Sequence, residues 1–553
     1  MSESRRTFGR RVLGIASTLG LTTVSTGGRM ARAVASGGLA SAVATASQAA
    51  KAQPHVRALV VGTGYGGAVT ALRLAERGIP VTMIEMGQFW NKPGSDGKVF
   101  CSNAHPDERA MWFSTRAASV VSSFAGHPVD LQVPYGAGVL GLLRYPGMDV
   151  YCGRGVGGGS LVNMAMLITP EREVLHEVMP PGFNVREFML RHYPKALAKL
   201  QANTIRPGYF TSSDYHQYGR VLWDNLSRAG FNPEFLPSGY DFGYMEQEEA
   251  GLVPASALGN EGGFGNNYGK SSLDKNYIAD AMGTGRVTIQ AMTRVTRIER
   301  QPDRTFVVSL EEIDLQGNVV RQYPMGCEHL FIAGGSIGTS ELLLRARETG
   351  TLPNLNRAIG TSWSANSDIF VTRTNTAANP VGTRQSIVPA TGFRTRDQNG
   401  RPLFSMSLPL PFPFESFISM SIVMARNPET AGFTYDASKD QAVLNWSSEN
   451  APAVESAKYV FDQVNSANGT SYRTDLFSGK LFSDAATYHP VGGCPLGRAT
   501  DLFGRVHGYD RLYVMDGALI PGALAANPAL TVAALAERNI EHILWHDFHD
   551  FHF

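Results

Sequence analysis

The sequence predicts an α/β protein in which a parallel-sheet domain, assembled from separate chain segments, is interrupted by a domain of antiparallel sheet and helices. Three observations predict this. Residues 57–88 hold a complete strand–turn–helix–strand unit. Residues 362–465 instead show several prolines and alternating patterns that predict strands of a separate antiparallel sheet at Asp368–Thr372, Phe417–Ala425 and Ala442–Trp446. From residue 511 the strand–helix pattern of the first domain returns, with a strand pattern ending in Asp516-Gly517 and a helix pattern after Asn527. The first domain is therefore discontinuous in sequence.

The unit at residues 57–88 carries a phosphate-binding fingerprint. An apolar run leads into Gly62-x-Gly64-x-x-Gly67, and the second apolar run ends in Glu85. In such a unit the glycines allow a tight turn, close approach of a pyrophosphate and close helix–strand packing, while the acid accepts from a ribose hydroxyl. The motif predicts a Rossmann-like domain that binds an adenine dinucleotide, without deciding between FAD and NAD. The predicted cofactor contacts here are Gly62, Gly64, Tyr65, Gly66, Gly67 and Glu85.

Composition excludes several classes of protein. The chain has 553 residues, 43% hydrophobic and 18% charged, which is typical of a globular protein of two or three domains. A net charge of +1 argues against a nucleic-acid partner. The four cysteines are far apart and form no CxxC pair, so we expect buried thiols rather than zinc or a redox dithiol. His542 and His546 form an i,i+4 pair, which we interpret as part of a solvated tail, and we predict no metal site.

The N-terminal 50 residues indicate export. Ser4-Arg5-Arg6-Thr7-Phe8-Gly9-Arg10 is a twin-arginine pattern, followed by a short apolar stretch and an Ala-rich linker. The apolar stretch is too short to span a bilayer. We therefore predict a secreted or periplasmic bacterial protein exported by the twin-arginine route; the alternative is a disordered basic N-terminus.

Two later segments favour FAD over NAD. Residues 153–163 hold four glycines within five positions, which leaves the backbone bare for a flat ring or a phosphate. A strand ending in Asp516-Gly517 suits the ribityl and pyrophosphate of a flavin. A simple NAD domain would not need the far end of the chain to return to the cofactor domain. The predicted boundaries are 56–100, 145–200, 270–361 and 485–553 for the Rossmann-like FAD-binding domain, and 101–144, 201–269 and 362–484 for the substrate-binding domain.

A family resemblance then becomes specific. The chain resembles the glucose–methanol–choline oxidoreductases, and within them the non-covalent FAD cholesterol oxidases, from about residue 56 to about residue 543. The resemblance is carried by GTGYGGAVTALRL, IEMGQFWN, VYCGRGVGGGSLVN, YDFGYM, GKSSLDKNYIA, TGTLPNLN, TYHPVGGCPLG and YVMDGALIPGALAANPALTVAALAERN.

The resemblance implies a catalytic pair, His489 and Asn527. Oxidising a secondary alcohol requires a group that takes the hydroxyl proton while hydride leaves carbon, which suits histidine. An amide can orient the alcohol without adding charge. The resemblance also implies flavin contacts from Gly158, Gly159, Asn163, Met166, Val295, Asp516, Gly517, Asn527 and Pro528, and a substrate pocket that includes Phe404 and Met406.

The chain departs from the family at Met406. Steroid-isomerising members carry a Glu there, and a thioether accepts no proton at neutral pH; Glu415, nine residues on, is no obvious substitute. We expect an FAD-dependent oxidase of 3β-hydroxysterols or similarly bulky alcohols that reduces O2 to H2O2 with weak or absent isomerisation. The expected protein is a monomer that touches membrane surfaces transiently to extract substrate. The alternatives are a dehydrogenase that uses a quinone or cytochrome, and a non-catalytic flavin- or sterol-binding protein.

Overall fold

A computed structural model describes residues 54–548, apart from residues 118, 120, 125, 126, 130, 375–378, 411 and 413. The predicted export signal and linker, residues 1–50, lie outside the described residues. Within the part of the chain that the structure describes, no helix is long and apolar enough to cross a membrane.

The strands, in chain order, are β1 (His55–Val61), β2 (Val81–Ile84), β3 (Ser123–Phe124), β4 (His127–Pro128), β5 (Leu140–Tyr145), β6 (Met148–Gly153), β7 (Pro233–Phe235), β8 (Val287–Gln290), β9 (Thr293–Arg300), β10 (Phe306–Ile313), β11 (Val319–Ile332), β12 (Asp368–Thr374), β13 (Thr391–Arg396), β14 (Pro402–Leu408), β15 (Ile418–Ala425), β16 (Gly432–Asp436), β17 (Gln441–Asn445), β18 (Ser471–Tyr472), β19 (Phe482–Ser483), β20 (Ala486–Thr487) and β21 (Leu512–Val514). The α-helices are α1 (Tyr65–Glu76), α2 (Arg172–Val178), α3 (Val185–Glu187), α4 (Tyr193–Lys199), α5 (Pro207–Ser212), α6 (Gln217–Arg228), α7 (Phe242–Glu249), α8 (Tyr277–Gly283), α9 (Gly335–Glu348), α10 (Ala451–Asn468) and α11 (Ala529–Asp547).

The first sheet brings distant segments together at one edge. Its strand order is β8-β2-β1-β11-β10-β9, and β21 also pairs with β11. The C-terminal part of β11 pairs in parallel with β1 and β21, while its N-terminal part pairs antiparallel with β10. Ile332 is in register with both Val61 and Val514. The turns after β1, β11 and β21 therefore meet at the carboxyl ends of parallel strands, where ligands bind in such sheets.

The second sheet is antiparallel throughout, in the order β18-β12-β15-β14-β13-β7, with β19 paired to β12. Side chains alternate across it, as the period of two requires. Phe370, Phe404 and Met406 pack on the face turned towards Met166 and Ala526 of the first domain. The opposite face, which includes Ile369, Val371, Leu403 and Val423, packs in one cluster with α6 and α10. The predicted fold class, a Rossmann-like domain with an inserted antiparallel sheet and helices, is confirmed.

One strand prediction needs correction. Residues 442–446 were expected in the inserted sheet, but β16 and β17 pair only with each other. Phe433 and Leu444 of this hairpin pack into the core of the first domain. An alternating pattern predicts a strand with one buried face, and it does not say which core buries that face.

Candidate active site

The glycine turn after β1 divides into packed and open positions. Gly62 has φ +98°, and a Cβ there would lie 2.2 Å from the Ala333 carbonyl oxygen. A Cβ on Gly66 would lie 1.7 Å from the Met515 oxygen, and one on Gly67 2.1 Å from the Gly62 oxygen. A Cβ on Gly64 meets no atom within 4 Å. Gly64 therefore faces open space at the N-terminus of α1, as the predicted approach of a pyrophosphate requires.

Glu85 joins the end of β2 to the glycine turn. Its buried carboxylate accepts from the Thr63 hydroxyl (2.6 Å), the Thr63 N–H (3.2 Å) and the Gly87 N–H (2.9 Å). Burial raises the pKa of the Glu85 carboxyl. A carboxylate has about four acceptor positions, so one remains for the predicted ribose hydroxyl. Thr63 was missed in the sequence because nothing marks its hydroxyl within the glycine motif.

Asp516 joins β21 to the start of α9. Its carboxylate accepts from the N–H groups of Gly335 (2.8 Å) and Ala518 (2.9 Å) and from the Thr339 hydroxyl. Burial raises the pKa of Asp516 to about 6. Gly517 begins the short 3-10 helix that follows, and its carbonyl accepts from the Gly492 N–H at 2.9 Å. The Asp516 turn is thus bonded to the segment that carries His489.

The glycine-rich segment after β6 crosses over the first glycine turn. A Cβ on Gly158 would lie 2.8 Å from the Gly64 Cα, whereas one on Gly159 meets nothing within 4 Å. The Asn163 amide donates to the Tyr65 hydroxyl at 2.9 Å, and burial raises the pKa of Tyr65 to about 12. The predicted contacts of both motifs therefore form one surface, with Gly64 and Gly159 as its open positions.

Lys270, for which the sequence predicts no role, is hydrogen-bonded to the end of this glycine-rich segment. Its Nζ donates to the carbonyl oxygens of Leu161 (3.2 Å) and Asn163. Lys270 is buried, and burial lowers its pKa to about 7. The motif GKSSLDKNYIA contains Lys270, but a lysine in a polar run is usually solvated, so nothing in the sequence indicates that Lys270 is buried.

His489 and Asn527 meet as predicted, and a third residue joins them. His489 Nε2 lies 3.0 Å from Asn527 Nδ2, and His489 Nδ1 lies 2.7 Å from Asp368 Oδ1. Asp368 is fully buried at the start of β12. Its second oxygen accepts from the Thr487 hydroxyl and the Tyr488 N–H, both at 3.0 Å. The Asn527 carbonyl oxygen is buried without a hydrogen-bond partner among the described residues.

A short left-handed segment positions both members of the predicted pair. Asn366 and Ser367, with φ of 52° and 57°, immediately precede Asp368. The Asn366 amide accepts from the Leu524 N–H and donates to the Ala526 carbonyl oxygen, both at 2.8 Å. Non-glycine residues in this conformation cost about 1–3 kcal/mol each and persist only where the surrounding structure holds them. The chain thus holds strained backbone where it fixes His489, through Asp368, and Asn527.

The second sheet supplies an apolar wall. Phe404 and Met406 are buried there with Phe370, Met420 and Ile422. Met166 lies in the same cluster, which connects this wall to the segment containing Asn163. Five methionines belong to the cluster or pack on it: Met164, Met166, Met406, Met420 and Met424. Such unbranched side chains adapt to ligands of irregular shape.

Glu415 does not replace the missing carboxylate. It accepts from the backbone N–H groups of Val381 (3.3 Å), Gly382 (2.6 Å) and Phe417 (2.9 Å). Its role is to hold a loop, and the wall residues that pack together with Met406 are apolar.

All the predicted flavin contacts stay predictions, and for two of them the structure adds only their place in the fold. Val295 lies half-buried in β9 opposite Leu310, and Pro528 is the N-cap residue of α11. The residues present do fit a dinucleotide flavin, because the two glycine segments leave open positions and Asn527 offers an unpaired buried oxygen. The described residues contain no group of three or more His, Cys, Asp or Glu side chains that could hold a metal ion.

Comparisons with known proteins agree with this geometry. Residues 34–348 and 436–536 match the description GMC oxidoreductase, and residues 366–478 match GMC oxidoreductase, C-terminal. A cholesterol oxidase of Mycobacterium tuberculosis is 24% identical over 88% of this chain and 90% of its own. One from Acinetobacter baumannii is 23% identical over 88% and 94%. A long-chain-alcohol oxidase of Arabidopsis thaliana is 22% identical over 86% and 66%.

The fold is also similar to that of a fungal aryl-alcohol oxidase, with a TM-score of 0.58 at 12% identity over 89% of this chain and 99% of that one. GMC oxidoreductases bind FAD and form an alcohol oxidase-type enzyme class. Because the first family match covers more than half of the chain, the protein belongs to the GMC oxidoreductases.

Proposed function

We propose that this chain is an FAD-dependent oxidase of 3β-hydroxysterols or similarly bulky secondary alcohols, with O2 as final acceptor and H2O2 as product. The observation that carries the proposal is the contact of His489 Nε2 with Asn527 Nδ2 at 3.0 Å, beside the apolar wall that includes Phe404 and Met406. Cholesterol oxidases among the relatives support the substrate class.

The cofactor would be held without a covalent bond. The backbone of the glycine turn, with Gly64 open, would face the pyrophosphate, and the free acceptor position of Glu85 would take a ribose hydroxyl. Asp516 would fix the turn that holds the ribityl chain. When bound, FAD supplies the acceptor for the hydride that leaves the alcohol carbon.

The side chains of the site would bind the substrate and take its hydroxyl proton. The wall around Phe404 and Met406 buries the apolar body of the substrate and excludes water. His489 Nε2, which faces away from Asp368, takes the hydroxyl proton. The hydroxyl must replace the Asn527 amide as the donor to Nε2, and the displaced amide then orients the alcohol oxygen. Because Met406 cannot accept a proton and Glu415 is bonded to backbone amides, the product should keep its double bond in place.

Anaerobic mixing with a panel of sterols and long-chain alcohols tests the reaction. We expect sterols to bleach the flavin, and H489Q to slow the bleaching at least about hundredfold. Re-oxidation in air should release one H2O2 per alcohol, and cholesterol should give the 5-en-3-one. Electron transfer to a quinone without H2O2 would establish the dehydrogenase instead, and no bleaching by any alcohol would leave a binding protein. Acid precipitation should release FAD into solution if it is bound without a covalent bond.

We also propose export by the twin-arginine route, in a monomeric form that contacts membranes transiently. Replacing Arg5 and Arg6 with lysine should retain the protein in the cytoplasm on cell fractionation. Wild-type protein found in the cytoplasm would contradict this.

A further inference from the structure

We infer that Asp368 is a positioning residue that sets the order of protons along Asp368, His489 and Asn527. The kinetic consequence of this inference rests on the proposed function, whereas the proton order itself does not. An ionised carboxylate only accepts hydrogen bonds, so His489 Nδ1, 2.7 Å away, must donate. A neutral imidazole carries one N–H, so Nε2 holds a lone pair.

The other end of the chain of bonds agrees with this order. Since Nε2 accepts, the Asn527 group that faces it at 3.0 Å must be the NH2. This orientation leaves the Asn527 carbonyl oxygen without a partner, as observed. The carboxylate of Asp368 thereby determines which His489 nitrogen can take a proton from a bound alcohol.

The neighbours of Asp368 explain why a carboxylate is needed rather than an amide. Its Oδ2 accepts from the Tyr488 N–H at 3.0 Å, and a backbone N–H can only donate. In D368N the amide oxygen would therefore face Tyr488, and its NH2 would face His489 Nδ1. That nitrogen would have to accept, and the ring proton would move to Nε2, opposite the Asn527 NH2. The base of the proposed reaction would be lost without any change in side-chain shape.

Asp368 is also placed to balance charge. It is fully buried, and among the described residues its ion-pair partner is His489. When the ring takes the hydroxyl proton, the carboxylate lies next to the positive charge that forms. The alternation of β12 places Asp368 on the same face as Phe370, which belongs to the apolar wall. Burying a carboxylate beside such an apolar wall would cost much free energy if no group such as His489 lay next to it.

The test compares D368N with D397N. Asp397 is a matched control, because it is buried, accepts from the Ser456 hydroxyl and two backbone N–H groups, and lies in the turn between β13 and β14. Protein with 15N-labelled histidine is examined by NMR, with H489Q used to assign the His489 ring. We expect Nδ1–H in the wild-type protein and D397N, and Nε2–H in D368N. In anaerobic flavin reduction we expect D368N to be at least about hundredfold slower, with its substrate Kd within about threefold of wild type.

Several results would overturn the inference. They are a wild-type His489 protonated at Nε2, a D368N protein that keeps Nδ1–H, or flavin reduction by D368N within about threefold of wild type. If D368N does not fold, the wild-type spectrum and D368E, which keeps the carboxylate and should keep Nδ1–H, still decide the proton order. If no alcohol reduces the wild-type flavin, the proposed function fails, and the NMR result still decides the role of Asp368.

Discussion

Two alanine substitutions in the glycine turn separate its role in folding from its role in cofactor binding. In G66A the new Cβ would lie 1.7 Å from the Met515 carbonyl oxygen. Both sides of this contact are backbone, one in the first turn of α1 and the other at the end of β21, so neither can rotate away. The two segments would have to separate by more than about 1 Å to restore an ordinary contact.

The cost follows from that separation. Overpacking usually costs about 1–3 kcal/mol, and a backbone–backbone clash belongs at the upper end. An unfolding entropy of about 2 cal/mol/K per residue gives roughly 1 kcal/mol per degree for a chain of this size. We therefore expect G66A to lower the midpoint of thermal unfolding by about 3 °C or more in flavin-free protein, as followed by circular dichroism.

G64A makes the same chemical change two residues away, where a Cβ meets no atom within 4 Å. We expect its flavin-free unfolding to stay within about 1 kcal/mol of wild type. Its FAD affinity should fall at least about tenfold, or roughly 1.4 kcal/mol, because the methyl group occupies the approach of the pyrophosphate. Flavin fluorescence titration measures this. Wild-type affinity in G64A, or wild-type stability in G66A, would refute the division of roles.

Four further predictions follow from single side chains. Burial lowers the pKa of Lys270 from 10.5 to about 7, so the unfolded chain binds this proton more tightly than the folded chain does. The unfolding free energy of the flavin-free wild-type protein should therefore rise by about 2 kcal/mol from pH 7 to 9. The rise should be smaller in K270M, which lacks the titrating group. Arg373 is buried, and its Nη2 has no hydrogen-bond partner among the described residues. R373M should therefore leave the free energy of unfolding in urea unchanged or raise it by up to about 2 kcal/mol. A lower free energy of unfolding in R373M would contradict this. N366G keeps the left-handed backbone but removes both bonds to residues 524–526, so stopped-flow flavin reduction should slow while substrate Kd changes little; an unchanged rate would contradict the positioning role. M406E should convert the 5-en-3-one to the 4-en-3-one faster than wild type in a 240 nm absorbance assay, and equal rates would refute the role of that position.

The glycine turn shows how far local sequence can determine structure. Gly62 and Gly67 were predicted to allow the turn and close packing, and each leaves too little room for a Cβ. These requirements lie within one βαβ unit, so they leave a fixed spacing in the sequence. The run VTIQ at 287–290 likewise predicts a strand with the bounds of β8, because it is short and begins just after Gly285.

The hairpin β16–β17 and Asp368 are features that local sequence does not determine. The apolar pattern of the hairpin is equally compatible with either core, and only the packing of Phe433 and Leu444 decides between them. Asp368 carries no spacing signal, since its partners Thr487, Tyr488 and His489 lie about 120 residues further along the chain. A polar residue opening a strand whose same-face neighbour is Phe370 was the one available sign.

By itself, the sequence determined the α/β class and the glycine turn, and its family resemblance predicted the pair His489 and Asn527. Those features depend on residue type at fixed spacing, which the order of amino acids records directly. Only the tertiary structure decided that Asp368 lies behind His489 and that Glu415 is bonded to a loop. The order of protons at the site depends on which acceptors surround one ring nitrogen, and that is a property of distances across the fold.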